Sequence, residues 1–203
     1  NENGIFLNQT SNSNYPIYNN NISNNDQNGI YLNDHCTDNN ISTNQIHNSG
    51  DSGIRLENSS INNVYSNTIN NNANYGLMIV GSLNIVRKNT VSYNEEHGMF
   101  LFADDSNIIS DNVINGNDKD GVRLYNSTYD SISGNKIYAN SGYGVYLDFF
   151  TSSNQVCNNL FYDNTHNAYD TSINRNNSWN TLKSPGPNII QQFYLGGNYW
   201  DDY

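Results

Sequence analysis

The chain has 203 residues, 45 of them Asn, and a net charge of −11 from 19 acidic against 8 basic residues. That acidity repels phosphate backbones and supplies no counterion release, which excludes nucleic acid as a partner. No apolar run reaches the roughly 18 residues needed to span a bilayer, so no membrane insertion is expected in this segment. Leu, Ile, Val and Phe make up only about a fifth of the residues, near the level of disordered chains, and only their spacing overturns that reading.

The first element is a glycine followed by apolar, any, apolar: Gly4-Ile5-Phe6-Leu7. It returns at Gly29, Gly53, Gly76, Gly98, Gly121 and Gly144, 22 to 25 residues apart. A second frame, apolar-x-x-Asn-x-apolar, follows each glycine: Ile17/Asn20/Ile22, Ile41/Asn44/Ile46, Val64/Asn67/Ile69, Val86/Asn89/Val91, Ile109/Asn112/Ile114, Ile132/Asn135/Ile137 and Val156/Asn159/Phe161. Apolar alternation in runs of three to five residues, punctuated by Asn, Gly, Ser and Asp, predicts short strands and turns and no helix. Such a unit cannot bury its apolar residues alone, but copies stacked about 4.8 Å apart can. The fold class is therefore all-β: a single-stranded right-handed parallel β-helix of seven to eight coils over residues 1–167.

The recurring Asn suits a left-handed corner and an amide ladder along the axis. Asn25, Asn72, Asn94, Asn117, Asn140 and Asn164, with Ser49 in one coil, mark a second corner. After Asn167 the pattern decays, and residues 168–203, with Trp179, Trp200, Pro185 and Pro187, read as a degenerate last coil and cap over the exposed strand edge. The first coil has no such cover, so further coils, a neighbouring domain or a subunit are expected at the N-terminal edge. The opening NENGIFLN lacks a basic region and apolar run, which puts any export signal upstream. Cys36 and Cys157 fall about five coils, roughly 24 Å, apart and cannot pair. Six Asn-x-Ser/Thr sequons, at Asn8, Asn21, Asn40, Asn58, Asn126 and Asn176, fit a secreted glycoprotein.

From Gly4 to Asn164 these coils resemble the parallel β-helix repeats of NosD-like and carbohydrate-active families. The tail Leu195-Gly-Gly-Asn-Tyr-Trp-Asp-Asp-Tyr203 is similar to the segment closing such helices in surface proteins of methanogenic, Methanosarcina-type archaea. The resemblance implies an extracellular or cell-surface protein, in a group with both polysaccharide-degrading and structural members.

Residues two and four after each glycine point outward and stack into two axial stripes. One is Phe6, Tyr31, Arg55, Met78, Phe100, Arg123, Tyr146; the other is Asn8, Asn33, Glu57, Val80, Phe102, Tyr125, Asp148. Aromatic rings cover the apolar face of a pyranose while Arg, Asp and Glu bond its hydroxyls, so Tyr31, Glu57, Phe100, Phe102, Tyr125, Tyr146 and Asp148 are candidate polysaccharide-binding residues. Stacked rings also stabilise a solenoid by touching one another, which leaves a structural ladder open. A lyase or glycoside hydrolase would draw on Arg55, Arg123, Asp104 and Asp105. The acidic turns offer Glu95, Glu96, Asp118 and Asp120 as candidate Ca²⁺ ligands. The four histidines sit at different repeat positions and form no zinc or copper spacing. Three functions remain open: a glycan-binding scaffold, a polysaccharide-cleaving enzyme, or a surface-layer spacer.

Overall fold

The computed structural model describes residues 1–11, 16–174 and 176–201, and among these there is no helix. Three parallel sheets run along the axis. The first, on which each glycine opens the strand, has eight strands, from Ile5–Asn8 through Ile30–Asn33, Ile54–Glu57, Leu77–Val80, Met99–Phe102, Val122–Tyr125 and Tyr143–Leu147 to His166–Asp170. Seven strands form the second sheet and eight the third. Each of the seven glycine-led coils contributes one strand to every sheet, the last turn adding strands to the first and third only, and the apolar position of one coil lies on that of the next, as in Ile46 on Ile69 and Ile109 on Ile132.

Alternation decides what is buried. Residues one and three after the glycine, such as Ile54 and Leu56, are completely buried, while the residues between them reach the surface. The glycines are required by close approach. A Cβ at Gly76 would lie 2.6 Å from the Gly98 carbonyl oxygen and 2.4 Å from Val91 Cγ1. No side chain fits against a neighbouring backbone at that range.

The Asn ladder exists, and it is made of side chains rather than of left-handed corners. Asn67 donates its backbone N–H and its Nδ2 to Asn89 Oδ1, at 2.9 and 3.0 Å, and Nδ2 also reaches the Ile41 carbonyl at 2.9 Å. Its own Oδ1 takes the equivalent two donors from Asn44. Positive φ falls instead on the residue before each ladder Asn: Thr43, Ser66, Lys88 and Asp111 carry φ of 54° to 57°. The expectation that the ladder Asn themselves absorb the corner is thus corrected. They are fully hydrogen-bonded buried amides, and whatever precedes them takes the strain.

The second corner has the same ladder, from Asn72 through Asn94, Asn117 and Asn140 to Asn164. Ser49 interrupts it, and Asn25 Nδ2 is left buried with no acceptor. A third ladder joins Asn39, Asn62, Asn84, Asn107, Asp130, Asn154 and Asn177 at the turn after the glycine sheet.

The chain loses its repeat glycine after Asn164, yet His166–Asp170 adds an eighth strand to the glycine sheet. The ladder skips to the tail, where Asn198 accepts from Asn159 at 3.0 Å, and Trp200 stacks on Phe161 with centroids 4.6 Å apart. Between them Ser184–Pro185 and Tyr194–Leu195 make a small antiparallel hairpin. Asp202 and Tyr203 of the tail motif lie outside the described residues. Cys36 and Cys157 are buried free thiols. No helix among the described residues is long and apolar enough to cross a membrane.

Candidate functional site

The strand registers turn the first stripe into one continuous row: Phe6 on Tyr31, Tyr31 on Arg55, Arg55 on Met78, Met78 on Phe100, Phe100 on Arg123, Arg123 on Tyr146 and Tyr146 on Tyr169. The second stripe lies beside it, with Asn33 on Glu57 and Phe102 on Tyr125. Chemistry gathers at two places along this face.

The first gathering is Tyr31, Asp51, Arg55 and Glu57. The Tyr31 hydroxyl donates to Glu57 Oε2 at 2.6 Å, and Arg55 Nε donates to the same oxygen at 2.9 Å. A second Arg55 nitrogen lies 3.4 Å from Asp51 Oδ2. Burial, reinforced by the Glu57 carboxylate, pushes the Tyr31 phenol up to about 12. The same hydrogen bond from Tyr31, with Arg55 behind it, holds Glu57 below the usual carboxylate range.

The second gathering, three coils and about 14 Å along the axis, is His97, Asp120, Arg123, Tyr143, Tyr146 and Asp148. Arg123 donates to Asp148 Oδ2 at 2.9 Å and reaches Asp120 Oδ2 at 3.4 Å, with its guanidinium carbon 4.3 Å from the Tyr146 ring centre. Asp120 Oδ1 accepts the Tyr143 N–H at 2.8 Å, and burial raises this carboxyl above its ordinary value. His97 Nδ1 accepts the Asp120 backbone N–H at 3.1 Å, so the ring proton sits on Nε2. The 3.3 Å approach of Asp120 Oδ2 to that same Nδ1 is therefore not an ion pair. Burial, with Arg123 and Lys119 adding to it, lowers the imidazole to about 3.

Between the two lies an aromatic bridge. Tyr75 packs on Phe100 at 5.0 Å, Phe100 on Phe102 at 6.0 Å and Phe102 on Tyr125 at 5.5 Å. Tyr146 and Tyr169 close the row at 5.4 Å.

Of the residues singled out from sequence, Tyr31, Arg55 and Glu57 come together, as do Arg123, Tyr146 and Asp148, with Phe100, Phe102 and Tyr125 between them. Asp104 and Asp105 do not join either arginine. Asp104 is only 4% exposed and turns inward, in the row of Cys36, Ser59 and Ser127, whereas the arginines keep to the outer face. Apart from a proton the two carboxyls share, neither Asp104 oxygen nor Asp130 Oδ2 has a donor. Burial first, and mutual repulsion of the pair, raises the Asp104 carboxyl; burial likewise raises Asp130. Asp105 accepts from Ser106 and Thr128 at 3.1 and 3.2 Å. Among the candidate Ca²⁺ ligands, Glu96 is taken by Lys119 at 2.6 Å and Asp120 by Arg123. Among the described residues no three His, Cys, Asp or Glu side chains gather into a metal-holding group.

Sequence reasoning missed His97, Asp51 and Tyr143 as members of this face. For His97 and Tyr143 the signal is the position before each glycine, where Asn28, Ser52, Tyr75, His97, Asp120 and Tyr143 succeed one another; Asp51 stands one residue further back. A concavity of about 530 Å³ lies elsewhere, on the tail hairpin around Pro185, Phe193 and Tyr194, and no carboxylate or cation lines it.

Comparison with known proteins follows the fold. A family model described as "Periplasmic copper-binding protein (NosD)" matches residues 1–203. No curated protein sequence matches. Among solved structures, the periplasmic alginate epimerase AlgG superposes with a TM-score of 0.75 at 18% identity, covering 87% of this chain and 46% of AlgG. The A-module of Azotobacter vinelandii mannuronan C-5 epimerase AlgE6 gives 0.67 at 16%, covering 87% of this chain and 56% of that one. XylC, solved with xylose, gives 0.64 at 14%, covering 90% and 35%. The chain thus spans about half the length of the first two and less of the third. At these identities the likeness establishes the parallel β-helix.

Proposed function

The chain belongs to the NosD family, and from that premise we propose that it is an exported β-helix module that binds polysaccharide along its glycine sheet. The observation that carries this reading is the continuous row from Phe6 to Tyr169, one residue per coil, in which five aromatic rings are interspersed with Met78 and two arginine-carboxylate groups. A polymer laid along the axis meets such a surface at successive sugars: rings cover their apolar faces, and the charged groups bond their hydroxyls. Support also comes from the structural neighbours, two of them epimerases of polysaccharides, and from the periplasmic description of both the family and AlgG. The compartment we propose is therefore the periplasm or beyond it, including the cell surface.

The metal in the family's description does not fit the donors present. His35 and His47 sit in different parts of one coil, His97 and His166 in two others, His97 is committed to the Asp120 backbone, and among the described residues no three His, Cys, Asp or Glu side chains gather into a metal-holding group.

A second reading is favoured by one observation. Asp120 and Asp148 flank the same guanidinium in unequal surroundings, Asp120 almost fully buried with its carboxyl raised. A buried carboxyl raised in this way beside a second, less buried carboxylate is the pattern of glycoside cleavage, the raised one donating the proton. In that reading Arg123 and Asp120 with Asp148 would act, in place of Asp104 and Asp105; Arg55 would hold substrate.

Retention on immobilised polysaccharides tests the binding reading. The paired substitution Phe100→Ala and Arg123→Ala should abolish retention while melting stays cooperative; unchanged retention would sink it. Chain length of the same polymers before and after incubation, with and without Ca²⁺, separates the enzyme: shortened chains that stay intact with Asp120→Asn would establish cleavage.

A further inference from the structure

Resting on that reading, we infer that the face accepts neutral, hydroxyl-rich glycans and rejects polymers of uronic or sulfated sugars, because both of its arginines are already held by two carboxylates each. Arg55 is bound by Glu57 at 2.9 Å and Asp51 at 3.4 Å; Arg123 is bound by Asp148 at 2.9 Å and Asp120 at 3.4 Å. Two guanidinium charges thus face four carboxyl groups. Lys119, the other cation near this face, is taken by Glu96 at 2.6 Å. His97 adds no charge, since its Nδ1 is occupied as an acceptor.

The consequence follows from electrostatics. A uronate carboxylate or a sulfate needs a cation whose charge is not already spent, ideally the bidentate fork of an arginine. Here it would meet a site whose net charge is negative, on a molecule of net charge −11. The arginine side chains are only 24% and 28% exposed, so displacing their partners would strand partly buried carboxylates. A neutral sugar faces no such opposition. Its hydroxyls donate to the remaining lone pairs of Glu57 and Asp148 and accept from unused guanidinium N–H groups. Its ring faces lie on Phe6, Tyr31, Phe100, Tyr146 and Tyr169.

The arginine-carboxylate groups therefore act as a filter on substrate charge. Freeing one arginine of both its carboxylates should admit anionic sugars: Asp120→Asn together with Asp148→Asn does so at Arg123 while preserving shape, and Asp51→Asn together with Glu57→Gln does the same at Arg55.

The experiment is affinity electrophoresis of the whole chain in gels containing xylan, glucomannan, polygalacturonate, alginate or a sulfated glucan, at low and high salt. Neutral polymers should retard the wild type equally at both salts, since no charge is neutralised on binding, and the anionic ones should not retard it. The paired Asp120→Asn and Asp148→Asn variant should gain retardation by the anionic polymers, by about tenfold in apparent affinity, and lose it at high salt. Salt-sensitive retardation of the wild type by anionic polymers alone would overturn this inference while leaving a glycan-binding face standing. Retardation by none of the five would overturn the binding reading itself, and the inference with it.

Discussion

Replacing Asp130 with Asn should make the protein more stable, and more so at higher pH. Asp130 occupies a ladder whose other members are Asn, and it accepts Asn107 N–H and Nδ2 through one oxygen at 2.8 and 3.3 Å. Elsewhere in that row the Nδ2 group donates to a carbonyl of the preceding coil, as Asn84 does to Ser59 at 3.1 Å and Asn154 to Ser127 at 3.0 Å. A carboxylate cannot donate, and apart from a proton shared with Asp104 nothing donates to Oδ2 of Asp130. Satisfying a buried orphan of this kind is worth about 1–3 kcal/mol. A middle value of about 2 kcal/mol corresponds to roughly 4–8 °C in melting temperature for a chain of this length.

The pH dependence has a definite sign. Both carboxyls are raised above their unfolded value of 3.8, so the folded state holds protons that the unfolded state has released. Stability from this pair is fully present below about pH 4 and is lost as the pH rises through neutrality. Thermal melts of the wild type and Asp130→Asn at pH 4, 6 and 8 would measure it. The gap should be small at pH 4 and widest at pH 8. An Asn variant that melts below the wild type at pH 8, or a gap independent of pH, would refute the reasoning.

Three further outcomes follow from the same geometry. Ser49→Asn should restore the interrupted second ladder and give Asn25 Nδ2 its acceptor, raising stability by about 1 kcal/mol in urea or thermal unfolding; a loss would show that the gap is needed. Gly76→Ala should destabilise by about 1–3 kcal/mol or more, because its Cβ would meet the Gly98 carbonyl at 2.6 Å; soluble, wild-type-like melting would contradict the close approach. His97 should remain neutral at pH 5, with no imidazole titration by NMR between pH 8 and 4, because burial and the neighbouring cations hold it near 3. Its contribution to stability is present above the ordinary histidine value of 6.5 and is lost as the pH falls from there.

Much of the architecture was legible because period and chemistry coincide. Each repeat glycine marks a backbone too close to its neighbour for a side chain, and the alternation after it fixes which residues face out. That spacing alone places Tyr31, Arg55, Phe100, Arg123 and Tyr146 on one row. The third ladder was as readable, since Asn62, Asn84, Asn107 and Asp130 each stand two residues before an apolar position, but the loops entering that corner vary in length and hide the alignment. Asp104 shows the opposite difficulty. An acid next to a second acid reads as solvated surface, and only the turn geometry reveals that it points inward beneath Ser127. His97 and Asp120 separate in sequence because the four histidines share no repeat position, whereas Asp120 belongs with the acidic turns as a candidate Ca²⁺ ligand. Their shared position before the glycine is what joins them.

Hydroxyl-radical footprinting of the chain with and without a saturating retained polysaccharide tests the binding face most directly. Tyr31, Phe100, Tyr146 and Tyr169 should be protected, while the Tyr138–Tyr162 stack on the third sheet, with rings 4.5 Å apart, should oxidise as before. Protection of Tyr138 and Tyr162 with the glycine-sheet row unchanged would contradict the account.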